Sequence, residues 1–270
     1  MIHPTAIIHP KAKLDASVQV GPYAVIDESV TLGTGCVLGP HVYITGQTRI
    51  GAMNRFYAGC VIGEAPQDLK YREQPTSLHI GDGNIFREHV TVHRSTKVGE
   101  FTSIGSHCFL MANAHVGHNC RLSDSVILAN GALLGGHVQV GDRVFISGNC
   151  LVHQFVRVGT LALMQGGSAI SQDLPPYTIA DRSNALCGLN TVGLRRAGFS
   201  AEERLELRQL YHALFRSGVN LQSALAGATQ QFFSAPAKIL MDFVASSTRG
   251  VCPEVAEGPN DDPQLESETL

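Results

Sequence analysis

The sequence predicts a mainly β fold: a parallel β-helix built from six-residue repeats, followed by a small α-helical unit. Three observations carry this expectation. Apolar residues recur every six positions; the 270-residue chain is rich in glycine (28) and poor in charge (16%), with no tryptophan; and helix-start signals appear only after residue 190.

The beat begins at Ile2 and runs through Ile8, Leu14, Val20 and Ile26 to Ile62, then resumes at Ile80 and continues through Phe86, Val92, Val98 and Ile104 to Ile170. Every position in both runs is apolar, although apolar residues fill only roughly 45% of an average sequence. A second, smaller site lies four residues after each large one, as at Ala24, Cys36, Cys108, Ala114, Cys120 and Ala132. The period matches neither a helix nor a simple amphipathic strand; it is the signature of a parallel β-helix in which each hexad forms one side of a coil. Three hexads make a triangular coil of about 18 residues, so residues 1–175 give roughly nine or ten coils, a prism about 45 Å long at the ~4.8 Å strand spacing. Five of the seven cysteines fall on the small site, and none forms a CxxC pair, so they read as packing residues.

Between Ile62 and Ile80 the beat stays in phase, but Asp68 and Gln74 take the expected apolar positions. EAPQDLKYREQPTSL (64–78) is therefore expected to leave the prism as a loop, and long loops on rigid scaffolds are frequently functional. The beat ends at DLPPY (173–177). Ser200 with Glu203 then forms a capping box ahead of a helix whose Leu207, Leu210, Leu214 and Phe215 share a face, and two further helical stretches follow. The expected organisation is a β-helix over 1–190, a helical domain over 191–250 and a tail over 251–270. The tail has no Lys or Arg and six acidic residues, which leaves about +3 on residues 1–250; its composition suggests disorder.

The overall charge of −3 shows no basic stripe of the kind that binds nucleic acid. MIHPTAIIHPKAKLD lacks the apolar core of a signal peptide, and no stretch is apolar enough for stable membrane insertion, so a cytoplasmic location is expected.

Coil arithmetic places the chemistry. Counting from Ile80, residues 98, 116, 134 and 152 begin one face on successive coils, which gathers His115, His118, His137 and His153 along one edge, with Gly135, Gly136 and Gln154 among them. Converging neutral imidazoles suit either zinc ligation, which needs three nitrogens around one point, or general-base catalysis beside a glycine whose N–H stabilises an oxyanion.

The hexad run, QDLKY (67–71), VTVHRST around His93, NAHVGHNC (113–120), GGHV (135–138), VHQF (152–155) and GLRRAGFS (193–200) together resemble the UDP-N-acetylglucosamine acyltransferase family, from Ile2 to about Arg249. The resemblance implies a left-handed β-helix and a homotrimer with active sites between subunits. It also implies transfer of an (R)-3-hydroxyacyl chain from acyl carrier protein to the glucosamine 3-hydroxyl of UDP-N-acetylglucosamine, the first step of lipid A biosynthesis, with no cofactor or metal. It casts His118 as general base and the Gly136 N–H as oxyanion donor. Asp68, Lys70, His93, His115, His137, His153 and Gln154 are cast as binding or orienting the sugar nucleotide and acyl chain. Asn190 and Arg196 match nucleotide contacts, and Gly166 matches the position whose size limits acyl length. One departure concerns the base itself: Asn119 follows His118 where well-known members carry Asp. Asparagine accepts a hydrogen bond from the ring but lends no charge to an imidazolium, so either the base is weaker or another group supplies the charge.

Overall fold

The computed structural model describes residues 1–254. Three parallel sheets wrap one long core. The first runs from Ile7–Ile8 to Ala169–Ile170 (nine strands), the second from Lys13–Leu14 to Arg157–Val158 (eight), and the third starts at Gln19–Val20 and includes Thr178–Asp181 and Ala185–Leu189 (ten). Most strands are two residues long because the corners use the rest of each hexad. The first coils stack with partners 18 residues apart, as in Ile7 over Val25, Lys13 over Thr31 and Gln19 over Val37.

The second residue of each strand points inward. Ile26, Ile44, Ile62, Val92, Val116, Leu134, Val152 and Ile170 form one buried ladder, each methyl group resting on the one below. Ile2 belongs to the beat but is exposed, in contrast to the buried rungs from Val20 onward.

Two excursions interrupt the stack. Ile62 pairs with Val92, 30 residues on, and Val92 with Val116, 24 residues on. The first coil therefore carries an insertion of two hexads and the second an insertion of one. The sequence reading placed Val98 on the face shared with Val116, and that placement is corrected: Val98 is 60% exposed in the second excursion, and Val92 takes its place. An insertion whose length is a multiple of six preserves the apolar beat while moving each later hexad to a different wall, so periodicity alone does not register it. The first excursion is also shorter at both ends than 64–78, since Val61–Glu64 and Ser77–Ile80 are strands.

Polar groups occupy the small site beside these interruptions. Asn54 and Asn84 are fully buried and stacked: Asn84 Nδ2 donates to Asn54 Oδ1 (3.0 Å) and to the Gly105 carbonyl (2.9 Å), and Asn84 Oδ1 accepts from the Cys108 N–H (2.7 Å). Each amide satisfies backbone groups at the corner that a corner of ordinary shape would pair internally.

The prism ends in the one antiparallel pairing among the described strands, Ala185–Leu189 against Thr178–Asp181. Four α-helices follow, α1 (Thr191–Arg196), α2 (Ala201–Tyr211), α3 (Leu221–Ala228) and α4 (Ala235–Ala245), and a π-helical turn, His212–Arg216, continues α2. Ser200 and Glu203 exchange both capping-box hydrogen bonds at the start of α2. Leu207, Leu210 and Leu214 bury against Leu240, Met241 and Val244, and this second core joins the prism through Leu161 and Tyr177. Asp173 rivets the junction. Its buried carboxylate accepts from Arg157 Nε (2.9 Å) and Ser247 Oγ (2.9 Å), while Arg157 Nη2 donates to the Phe243 carbonyl (3.0 Å). Of the expected tail, Val251 and Glu254 bridge to Asp173 and Leu186 and Cys252 is buried; its acidic residues from Glu257 onward lie outside the described residues. No helix among the described residues is long and apolar enough to cross a membrane.

Candidate active site

The histidine edge lies where the first sheet turns into its next corner. Asn119, His137 and Phe155 occupy equivalent corner positions on successive coils, all with left-handed backbone (φ 59, 62 and 65°). That conformation is uncommon outside glycine, and here it aims the side chains outward along the edge. The His137 ring stacks on Phe155 at 4.5 Å and meets His118 edge-on at 5.2 Å.

His118, His115 and His93 share one groove of about 600 Å³ with Gly135, Gly136 and Gln67. His93 enters this group because of the corrected register: it follows Val92, on the coil below His115, and the two rings meet edge-on at 4.9 Å. His93 is only 5% exposed, and burial, helped by His115, His118 and Arg94, pushes its pKa down to about 4. The pKa values of His115 and His137 are also lowered, in both cases by burial first and then by His118. These imidazoles are held neutral, and the Nδ1 of His115 lies 2.7 Å from Thr91 Oγ1.

The tautomer of His118 follows from its neighbour. Asn119 Oδ1 accepts from the Thr96 backbone N–H at 3.0 Å, which fixes that atom as oxygen. The same oxygen lies 3.0 Å from His118 Nδ1, so Nδ1 must be the protonated nitrogen. Nε2 then carries the lone pair, and among the described residues it has no hydrogen-bond partner. The ring lies over Gly136: a Cβ added there would come within 2.5 Å of His118 Cε1 and 2.6 Å of Nε2. The Gly136 N–H stays outside the ladder and pairs with no group among the described residues.

Along the outward row of the first sheet, His115 is followed by Leu133, Leu151 and Ala169 on successive coils. The groove is thus polar at its histidine end and apolar beyond. Ser171 and Asn184 line the far end. Gln67, Leu133, Leu151, Ser171 and Asn184 were not anticipated from sequence, although apolar residues at the outward positions 133 and 151 were a usable signal.

The remaining expected residues are dispersed. His153 and Gln154 line the groove, with His153 Nδ1 near Arg249 Nη2 at 3.4 Å. Asp68 and Lys70 lie in the first excursion, where Asp68 Oδ1 accepts from the Lys70 N–H at 2.8 Å. Asn190 and Arg196 line a second groove of about 800 Å³ with Phe145 and Leu163 of the third sheet and Arg143 of the preceding turn, on another wall of the prism. Asn190 is engaged there as a cap: its side chain accepts from the Gly193 N–H (2.9 Å) and donates to the Leu161 carbonyl (2.9 Å). Gly166 lies in the turn after strand Leu163–Met164, at the corner where the third sheet passes into the first, and a Cβ on it would meet only the Gly148 carbonyl, at 3.7 Å. No group of three or more His, Cys, Asp or Glu among the described residues is arranged to hold a metal ion.

A hexapeptide β-helix with a histidine poised over a glycine on its edge defines a transferase of the hexapeptide class. Residues 11–46 match the family described as bacterial transferase hexapeptide, and residues 173–252 match the second domain of UDP N-acetylglucosamine O-acyltransferase. The acyl-[acyl-carrier-protein]–UDP-N-acetylglucosamine O-acyltransferase of Syntrophobacter fumaroxidans is 45% identical over 93% of this chain and 98% of its own; that of Thermodesulfovibrio yellowstonii is 44% identical over the same shares. The solved structure of LpxA from Acinetobacter baumannii superposes with a TM-score of 0.89 at 38% identity, covering 93% of this chain and 98% of that one. The chain belongs to the acyl-[acyl-carrier-protein]–UDP-N-acetylglucosamine O-acyltransferase family, and its fold is that family's left-handed parallel β-helix.

Proposed function

We propose that this chain transfers an (R)-3-hydroxyacyl group from acyl carrier protein to the glucosamine 3-hydroxyl of UDP-N-acetylglucosamine, the first step of lipid A biosynthesis, in the cytoplasm. The observation that carries the reading is His118, whose Nδ1 proton is fixed on Asn119 and whose Nε2 is left unpaired in a groove with an apolar extension. A sugar hydroxyl is a poor nucleophile at neutral pH until it loses its proton. In the proposed step, Nε2 takes that proton as the oxygen attacks the thioester carbonyl carbon. The Gly136 N–H donates to the developing oxyanion. When the tetrahedral intermediate collapses, the carbon–sulfur bond breaks and the leaving sulfur takes the proton from His118. The ester and the free carrier thiol are the products.

His93, His115, His137, His153 and Gln154 are assigned to orienting the sugar and acyl group, and Asp68 and Lys70 to closing over them from the excursion. The outward row Leu133, Leu151 and Ala169 suits an acyl chain. Asn190 and Arg196 line a different wall and Gly166 sits at a corner outside the His118 groove, so one chain does not surround a substrate that touches both groups. A homotrimer with sites between subunits reunites them, and this is the assembly we assign, with residues 1–190 as the catalytic β-helix and 191–250 as the helical domain. The deciding experiment incubates the protein with UDP-N-acetylglucosamine, or its 3-amino analogue, and a series of 3-hydroxyacyl carrier proteins, and weighs the products. His118→Ala is expected to abolish transfer without altering the melting temperature. Transfer that persists in this variant overturns the assignment of the base.

A further inference from the structure

Asparagine beside the proposed base left one question open: what carries the negative charge that an aspartate would provide. We propose that Glu100 does, as a positioning residue that acts on His118 through the side-chain amide of Asn119. The proposal rests on His118 being the base.

The second excursion is built as a clasp around Asn119. Its amide nitrogen Nδ2 donates to Glu100 Oε2 at 2.7 Å, a charge-assisted distance, while Oδ1 accepts from the Thr96 N–H and the Thr96 hydroxyl, both at 3.0 Å. Below, the Asn119 N–H donates to Thr102 Oγ1 at 2.8 Å. The clasp is itself tied down, since the fully buried Ser95 donates its hydroxyl to the Glu100 carbonyl at 2.6 Å. The two ends of the Asn119 amide are each matched by a group of fixed sense. A backbone N–H cannot accept and a carboxylate cannot donate, so the amide cannot flip. Glu100 therefore fixes Oδ1 toward His118, and pulling on Nδ2 makes that oxygen a stronger acceptor for the Nδ1 proton.

The electrostatic surroundings are mixed. His93, His115 and His137 all face His118 and feel its charge, and Lys97 Nζ lies 3.8 Å from Glu100 Oε1. The Lys97 pair is exposed and therefore weak. At His137, the ring next to His118, burial and the His118 charge dominate, while Glu100 and Asp68 favour the protonated ring and Lys97 opposes them. The pairing also accounts for the residue choice. An aspartate at 119 would set a second carboxylate against Glu100 where Asn119 now donates a hydrogen bond, and the two would repel.

The test compares three variants. Glu100→Gln keeps an acceptor for Asn119 Nδ2 but removes the charge. It is expected to shift the acid limb of the kcat/KM–pH profile, and the His118 titration followed by imidazole NMR, down by roughly half to one pH unit, with a three- to tenfold lower kcat/KM (~3–10, the same shift expressed as a ratio). Asn119→Asp alone should distort both profiles through the clash of carboxylates. Asn119→Asp with Glu100→Gln should restore both, because the charge then lies directly on residue 119. An acid limb and a His118 titration that Glu100→Gln leaves unmoved overturn the proposal, even if kcat falls. If the wild-type protein transfers no acyl group yet its His118 titration still responds to Glu100→Gln, the relay stands and the proposed reaction falls. If transfer depends on His118 but not on the charge at 100, only the relay falls.

Discussion

Replacing Gly136 with alanine isolates the geometry of the proposed base. The new Cβ would lie 2.5 Å from His118 Cε1, 2.6 Å from Nε2 and 3.0 Å from Nδ1, where ordinary contacts begin at 3.4 Å. The ring must therefore retreat by about 1 Å while Asn119 holds its Nδ1 and His137 blocks its edge. A displacement of that size at a reacting group costs about 10²-fold in rate, or roughly 2.7 kcal/mol of transition-state stabilisation. The backbone at Gly136 is not left-handed, so alanine adds no conformational strain and the coil should stack as before. The assay is kcat/KM for acyl transfer alongside a thermal melt. The expected result is a loss near 10²-fold with a melting temperature within about 2 °C of wild type. A near-native kcat/KM would refute the placement of His118 over Gly136. A collapse of the melting temperature would show that the glycine serves the coil and not the ring.

Two further predictions concern stability. Asn84→Ala leaves the buried Cys108 N–H and Gly105 carbonyl without their partners, and should cost about 2–4 kcal/mol, measured by denaturant unfolding; a change below ~0.5 kcal/mol would mean that backbone rearrangement satisfies both groups. The second follows from His93, whose pKa is lowered from 6.5 to about 4. Because the folded state resists charging this ring, the unfolded chain binds more protons below pH 6.5, and stability is lost as pH falls from about 6.5 toward 4. His93→Gln removes that penalty, so the stability gap between wild type and variant should narrow by about 2 kcal/mol between pH 7 and pH 5. A gap that stays constant would show that His93 accepts a proton without cost.

The coil architecture was legible in the sequence because each buried rung needs a large apolar side chain, and the beat records every rung. It was less informative wherever an interruption kept the beat. Val98 fits the pattern yet is exposed, since a one-hexad insertion is invisible to a six-residue count, and coil phase brings His93, which only the family resemblance had named, to the groove once that insertion is placed. The small site was misleading in another way: Asn54 and Asn84 occupy it as buried polar groups that satisfy distorted corners, a role that apolar patterning does not encode. Histidines on one edge could be counted from coil phase. Glu100 could not, because it belongs to the excursion itself, whose path between His93 and Phe101 the beat does not describe.

The reversal at Ala185–Leu189 has a consequence for how long the molecule can grow. In a parallel coil the upper rim of one turn is the template for the next, and the last rung would present the first rung of another copy with the same spacing and direction it offers its own chain. Such a stack has no internal reason to stop and would continue as a fibre. By turning one strand around, and covering it through Leu186 N–H to the Pro253 carbonyl at 2.8 Å, the chain converts a repeating template into a terminus. Its length is therefore set by a single change of strand direction, made before the helices begin.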